Sequence, residues 1–143
     1  MKPPAFIDTS HIIALVDTDD EYHALANLAG EALTGKMVTT EAVLIEFGNA
    51  LSKAKYKQLA FDTIADLRND PNIEIAPVDI SLIDRALAMF GSYQDKDWSL
   101  TDCISFVVMR ERGLAEALTA DHHFEQAGFR AILRDLKNQN LHS

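Results

Sequence analysis

Four acidic residues stand at positions from which a folded chain could gather them: Asp8 in Phe6-Ile7-Asp8-Thr9-Ser10, Glu46 in Val43-Leu44-Ile45-Glu46-Phe47, Asp102 in Ser99-Leu100-Thr101-Asp102, and Asp121 in Leu118-Thr119-Ala120-Asp121-His122-His123-Phe124. Converging carboxylates suit one kind of chemistry well. Hydrolysing a phosphodiester requires charge neutralised on the phosphate, an activated water and a stabilised leaving oxygen, and one or two Mg²⁺ or Mn²⁺ ions supply all three. Such hard ions prefer carboxylate oxygens. The chemistry needs three or four acids from separate elements meeting at one point, and no histidine or cysteine.

Each acid also has a purely structural reading. Asp8 follows a short apolar run and precedes two hydroxyl residues, so it can cap a helix start; Asp121 can do the same for a helix beginning at His122. Ser99 to Asp102 spells a capping box, and an acid in a first helical turn is favourable in any case. Glu46 lies on the helical face opposite Leu44 and Leu51, beside Asn49, Ala50 and Lys53, which describes a solvated stripe as well as one facing a cleft. On the cleft reading, Glu46 is an oxygen ligand and Asn49 or Lys53 contacts substrate phosphate. Position favours function for Asp8 and Asp121, because open α/β sheets bind ligands beyond the carboxyl ends of their strands. His122 and His123 are neighbours whose side chains should diverge, which suits surface or capping roles, and His11, His23 and His142 show no ligand spacing. Ser10 beside His11 makes no catalytic triad, and nothing resembles a nucleophile elbow. Lys53, Lys55 and Lys57 form the one compact basic run, either a solvated helix end or a path for an RNA backbone.

The elements that must position these groups alternate between short apolar runs and helical period, the pattern of a parallel sheet covered by helices. Strands are expected at Ala5 to Ile7, Met37 to Thr39, Ile73 to Val78, Glu116 to Ala120 and Ala131 to Leu133. Helices are expected from Asp20 to Leu33 with Tyr22, Leu25, Ala26, Leu28, Ala29 and Leu33 inward, from Thr40 to Ala54 with Leu44, Phe47 and Leu51 inward, and from Lys57 to Arg68 with Ala60, Ile64 and Leu67 inward. Leu82, Ile83, Ala86, Leu87 and Phe90 mark another helix, followed by a polar loop from Gly91 to Asp97. Leu100 to Arg112 is nearly all apolar through Met109, as a buried helix would be, and Gly113 stops it.

With 143 residues, 48% of them hydrophobic, the chain can bury one ordinary core and reads as a single domain over 1–143. One cysteine, Cys103, excludes an internal disulfide framework or a thiolate zinc cage and suits a reducing cytoplasm; in an apolar helix it reads as a small buried hydrophobe. Met1 to Ala5 lacks the apolar stretch of a secretory signal, and no segment approaches a membrane span. The net charge of −9 counts against nucleic-acid binding, which draws affinity from Lys and Arg. Carboxylates gathered around a cation account for part of that charge.

Taken together in order and spacing, the Asp8-Thr9-Ser10, Glu46 with Asn49, Ser99-Leu100-Thr101-Asp102 and Leu118-to-Phe124 motifs resemble the PIN-domain family, especially its small bacterial toxins of the VapC type. The resemblance runs from Phe6 to Gly128-Phe129. It implies a Rossmann-like three-layer α/β sandwich with a central parallel sheet, Mg²⁺ or Mn²⁺ dependence, endonucleolytic cutting of RNA, and frequent homodimers. By position it implies an acidic pocket of Asp8, Glu46, Asp102 and Asp121, with the hydroxyls of Ser10 and Thr119 beside it; Asp8 and Asp102 are the firmest ligands, and Asp95 and Asp97 fall outside the pocket. Many relatives are silenced by a small antitoxin, whose basic tail would complement this acidic chain. Rival readings fit less well. A haloacid-dehalogenase-type phosphohydrolase resembles Asp-x-Asp, where this chain has Ser10, and a signalling receiver domain needs an acidic pair and a late lysine not found in place. A noncatalytic PIN module binding RNA or a protein is the alternative from another class.

Overall fold

A computed structural model describes residues 4–33 and 35–142; residues 1–3, 34 and 143, and the side chains of 141 and 142, lie outside that description, and with them most of the expected non-signal segment Met1 to Ala5 and the imidazole of His142. Five parallel strands, β1 (Ala5–Ile7), β2 (Met37–Thr40), β3 (Ile73–Ala76), β4 (Glu116–Leu118) and β5 (Arg130–Ala131), form one sheet in the order β3-β2-β1-β4-β5. Parallel neighbours need helical crossovers, and the helices supply them: α1 (Thr9–Val16), α2 (His23–Ala32), α3 (Glu41–Ala50), α4 (Lys57–Asn69), α5 (Ile80–Ser92), α6 (Leu100–Glu111), α7 (His122–Gln126) and α8 (Ile132–His142). From β1 the chain winds outward through β2 and β3, then returns to lay β4 on the opposite side of β1. The strand order therefore reverses between β1 and β4, where open α/β sheets form their ligand crevice.

Helix starts follow their caps. Asp8, Thr40, Asp79, Ser99 and Asp121 each accept a backbone N–H of the first turn through a side-chain oxygen. α6 is buried from Asp102 through Met109, between the sheet and its neighbours, as its unbroken apolar run implied. It stops at Gly113, whose φ of 67° is the left-handed conformation glycine adopts without Cβ strain. The core centres on Phe6, Phe47, Phe106, Phe124, Ile12, Met109 and Leu118, all fully buried. Phe106 packs edge-on against Trp98 and Phe124, with ring centroids 5.0 and 4.9 Å apart.

Several expected boundaries move for local reasons. The helix expected from Asp20 begins at His23, because Asp17 and Asp20 turn their carboxylates onto the amides of Asp19 and Tyr22 and hold residues 17–22 in turns. The helix expected to reach Ala54 ends at Ala50, and a 3₁₀ turn, Ala54–Tyr56, intervenes before α4. α5 runs on through Ser92, so the polar loop starts at Tyr93 rather than Gly91. The strand expected at Ala131 to Leu133 is only Arg130–Ala131, and Ile132 opens a C-terminal helix held by ion pairs Lys137–Glu21, Arg134–Glu125 and Arg130–Asp135. Leu28, Leu87 and Phe90, expected inward, are 56%, 47% and 47% exposed. Helical period marks an apolar face, but what covers that face is a tertiary fact.

Candidate active site

The crevice between β1 and β4 is built from the residues that leave the two strands. Asp8 continues β1, and its amide donates to the carbonyl of Leu118 at the end of β4, 3.1 Å away. This bond sets the two exits side by side. Ser10 Oγ and Thr119 Oγ1 both reach Asp8 Oδ2, at 2.9 and 2.8 Å, and lie 3.1 Å from one another. Each hydroxyl also accepts a backbone amide from the β4–α7 turn, Ala120 onto Ser10 and Asp121 onto Thr119, both at 3.0 Å. The two hydroxyls thus lock the Asp8 side chain to the turn that carries Asp121.

Asp102 arrives from α6. Its amide donates to Ser99 Oγ and its Oδ2 accepts the Ser99 amide, both at 3.0 Å, so the reciprocal capping box fixes its rotamer. Capping does not consume the carboxylate. The same Oδ2 lies 3.0 Å from His123 Nδ1, which is also 3.4 Å from Asp121 Oδ1. Asp121 in turn caps α7, its Oδ1 accepting the His123 amide at 2.9 Å.

Electrostatics link the three acids. Asp8 is 4% exposed, and burial pushes its carboxyl up from 3.8 to about 6, opposed by the two hydroxyl bonds and reinforced by the charge of Asp102. Burial likewise raises Asp102, reinforced by Asp121 and opposed by the Ser99 amide and His123. The three carboxylates thus act on one another in sequence, Asp102 on Asp8 and Asp121 on Asp102. On Asp102 and Asp121 the hydrogen bonds collect on one oxygen, Oδ2 and Oδ1 respectively, and the other makes none with a described residue. Carboxylate oxygens are the ligands a hard divalent cation takes, and Asp8, Asp102 and Asp121 are the residues that would hold one.

The remaining expected residues divide. Glu46 and Asn49 lie on α3 and line a groove of about 390 Å³ with Ile45, Val78, Leu100 and Thr101, the last two in the first turn that carries Asp102. Among the described residues Glu46 makes no hydrogen bond or ion pair with the other acids. Lys53 is exposed at the 3₁₀ turn and lines no part of that groove, while Lys57 borders a separate recess with Phe61. Asp95 is exposed and paired with Lys96, and Asp97 is exposed. The expected divergence of His122 and His123 does not hold. Their rings lie 4.6 Å apart and both Nδ1 atoms turn toward Asp121. His123, read from sequence as a surface or capping residue, is a partner of Asp102; the Asp-x-His spacing directly after a strand was the available signal.

Comparison with known proteins is consistent with this geometry. The family model described as "PIN domain" matches residues 5–130. The 23S rRNA-specific endonuclease VapC20 of Mycobacterium tuberculosis is 27% identical over 124 residues, covering 87% of this chain and 94% of that protein. The crystal structure of M. tuberculosis VapC20, described as a sarcin-ricin loop cleaving toxin, superimposes with a TM-score of 0.82 at 26% identity, covering 87% of this chain and 95% of that one. VapBC2 of Rickettsia felis, solved on a DNA fragment from its promoter, gives a TM-score of 0.63 at 13% identity over 89% of this chain and 96% of that one, a likeness of fold alone.

Proposed function

The chain belongs to the PIN-domain family, and from that premise we propose that it is a divalent-metal-dependent endoribonuclease, the toxin of a toxin–antitoxin pair, hydrolysing RNA at the cluster of Asp8, Asp102 and Asp121. One observation carries the reading: carboxylates from the β1 exit, α6 and the β4–α7 turn are linked through Thr119 and His123 at the switch point of the sheet, and burial holds two of them above their ordinary pKa. When bound there, Mg²⁺ or Mn²⁺ would neutralise phosphate charge and lower the pKa of a water.

The protein's own groups set up that chemistry. Ser10 and Thr119 hold Asp8 in one rotamer, and the Ser99 capping box holds Asp102, so the ligand oxygens are oriented before substrate arrives. Glu46 and Asn49, in the groove beside the α6 start, are the side chains we assign to the ligand shell or the RNA backbone, while Lys53, exposed outside that groove, is left as a solvated residue. Similarity to an endonuclease described as specific for 23S rRNA supports ribosomal RNA as the substrate class to test first.

Two surfaces support partners. Ile80, Leu87 and Phe90, spaced along one face of α5 and 75%, 47% and 47% exposed, suit a homodimer. A groove lined by Ile13, Val16, Tyr56 and Leu59 together with Asp17 and Asp19 suits a basic amphipathic antitoxin segment. The setting is the reducing cytoplasm; among the described residues no helix is long and apolar enough to cross a membrane.

The test is incubation of purified protein with ribosomal RNA in Mg²⁺ or Mn²⁺, beside Asp8→Asn and Asp102→Asn. Discrete cuts that vanish with chelator and with either substitution are expected. Cutting that survives both, or binding without cutting, refutes the reading and favours a noncatalytic PIN module.

A further inference from the structure

The start of α7 turns two imidazoles onto one carboxylate oxygen. His122 Nδ1 lies 3.7 Å and His123 Nδ1 3.4 Å from Asp121 Oδ1, and each of the three residues offers a ligand atom within 4.8 Å of the other two. Asp121 can meet both side chains because, as the N-cap, it folds its carboxylate forward over the first turn. A hydrogen bond accounts for His123 against Asp102. It does not account for His122, whose Nδ1 stands beyond hydrogen-bond reach of Asp121 but at a separation that two ligands of one ion adopt. Tetrahedral Zn²⁺ with bonds of about 2.0–2.1 Å sets its ligand atoms roughly 3.3–3.4 Å apart.

The geometry points to a transition-metal site formed by Asp121, His122 and His123, which takes a nitrogen-seeking ion such as Zn²⁺ and thereby withdraws Asp121 from the hard-ion pocket and takes from Asp102 its imidazole partner. Imidazole nitrogens favour Zn²⁺ and Co²⁺, whereas Mg²⁺ requires oxygen and keeps its waters. Binding at His123 Nδ1 needs that nitrogen free of hydrogen, so a neutral ring carries its proton on Nε2 and a charged ring gives one proton to solvent. The hydrogen bond from that nitrogen to Asp102 Oδ2, 3.0 Å away, is then lost. The predicted silencing of the enzyme by zinc rests on the nuclease reading above; the site itself does not.

Co²⁺, whose visible ligand-field absorption is intense only at coordination numbers below six, reports the site without any activity assay. The chelator-treated full chain is titrated with Co²⁺ beside His122→Ala, His123→Gln and Asp8→Asn, each checked for folding by its melting curve. His122 is the more exposed of the pair, at 57% of its side chain, so its replacement leaves the fold intact even if His123→Gln disturbs the Asp102 cap. Intense absorption is expected for the native chain and Asp8→Asn, with affinity in each histidine variant falling beyond the roughly 10–100-fold that substitutions outside the ligand shell cost. Absorption that persists in both histidine variants and disappears in Asp8→Asn assigns the ion to the hard-ion pocket and overturns the proposal. No intense absorption at all overturns it as well. Failure of RNA cleavage in Mg²⁺ would sink the nuclease reading and leave the cobalt result standing on its own.

Discussion

Replacing Asp8 by asparagine should stabilise the metal-free protein while abolishing its response to the hard ion Mn²⁺. In the folded chain the Asp8 carboxyl is raised from 3.8 to about 6 by burial and by the charge of Asp102. A group raised on folding contributes stability that is complete below its unfolded pKa and lost as pH climbs through the folded value, so between pH 3.8 and about 6 the native protein gives up stability. At about 1.4 kcal/mol per pKa unit, the loss is about 3 kcal/mol by neutral pH. Asparagine carries no charge, yet its Oδ1 can still accept the hydroxyls of Ser10 and Thr119 and cap α1 about as well as aspartate. Losing a negative charge at a helix start returns about 0.3–1 kcal/mol of that gain. The net benefit is about 2–3 kcal/mol, or about 6–12 °C in melting temperature for a chain of this size. The assay is thermal unfolding of both proteins in chelator at pH 7.5 and pH 4, then at pH 7.5 with Mn²⁺. Asp8→Asn should melt higher at pH 7.5, the gap should close toward pH 4, and Mn²⁺ should raise the native protein alone. A variant that melts at or below the native chain at pH 7.5, or a gap indifferent to pH, would refute the reasoning.

His11 is buried on α1, its Nδ1 has no hydrogen-bond partner among the described residues, and desolvation lowers it from 6.5 to about 4. Its neutral state therefore supports the fold above pH 6.5, and about 3 kcal/mol is lost as pH falls from there through 4; urea midpoints at the two ends should differ less in His11→Leu than in the native chain. Thr119→Val removes both the donor to Asp8 and the acceptor of the Asp121 amide, which should cost about 1–3 kcal/mol in denaturant melts and weaken Mn²⁺ binding by calorimetry. Ser99→Ala should cost about 1 kcal/mol through the α6 cap and lower cleavage further by freeing the Asp102 rotamer. The exposed Arg85–Glu111 pair should matter little: Arg85→Ala is expected to shift stability by less than about 1 kcal/mol in the same melts.

The sequence by itself determined the chemical inventory and the linear order of parts. Alternating strands and helices, the capping box at Ser99, the buried run of α6, the stop at Gly113 and the acids Asp8, Asp102 and Asp121 at element boundaries were all legible, because caps, periodicity and turns are written within a few residues of where they act. The C-terminal helix α8 was not, since its apolar face becomes meaningful only against the sheet edge it covers. Nor was the exposure of Leu28 and Phe90, which depends on what the rest of the chain leaves uncovered. Only the tertiary structure decided that β4 lies beside β1 rather than beyond β3, and that single pairing joins Asp8 to Thr119 across 111 residues. It also decided that His123 belongs to Asp102, and that Glu46 faces a neighbouring groove without bonding to the other acids. Strand order arises from long-range burial and hydrogen bonding that no local window contains, so a list of acids becomes a site only when the sheet has chosen which strands are neighbours.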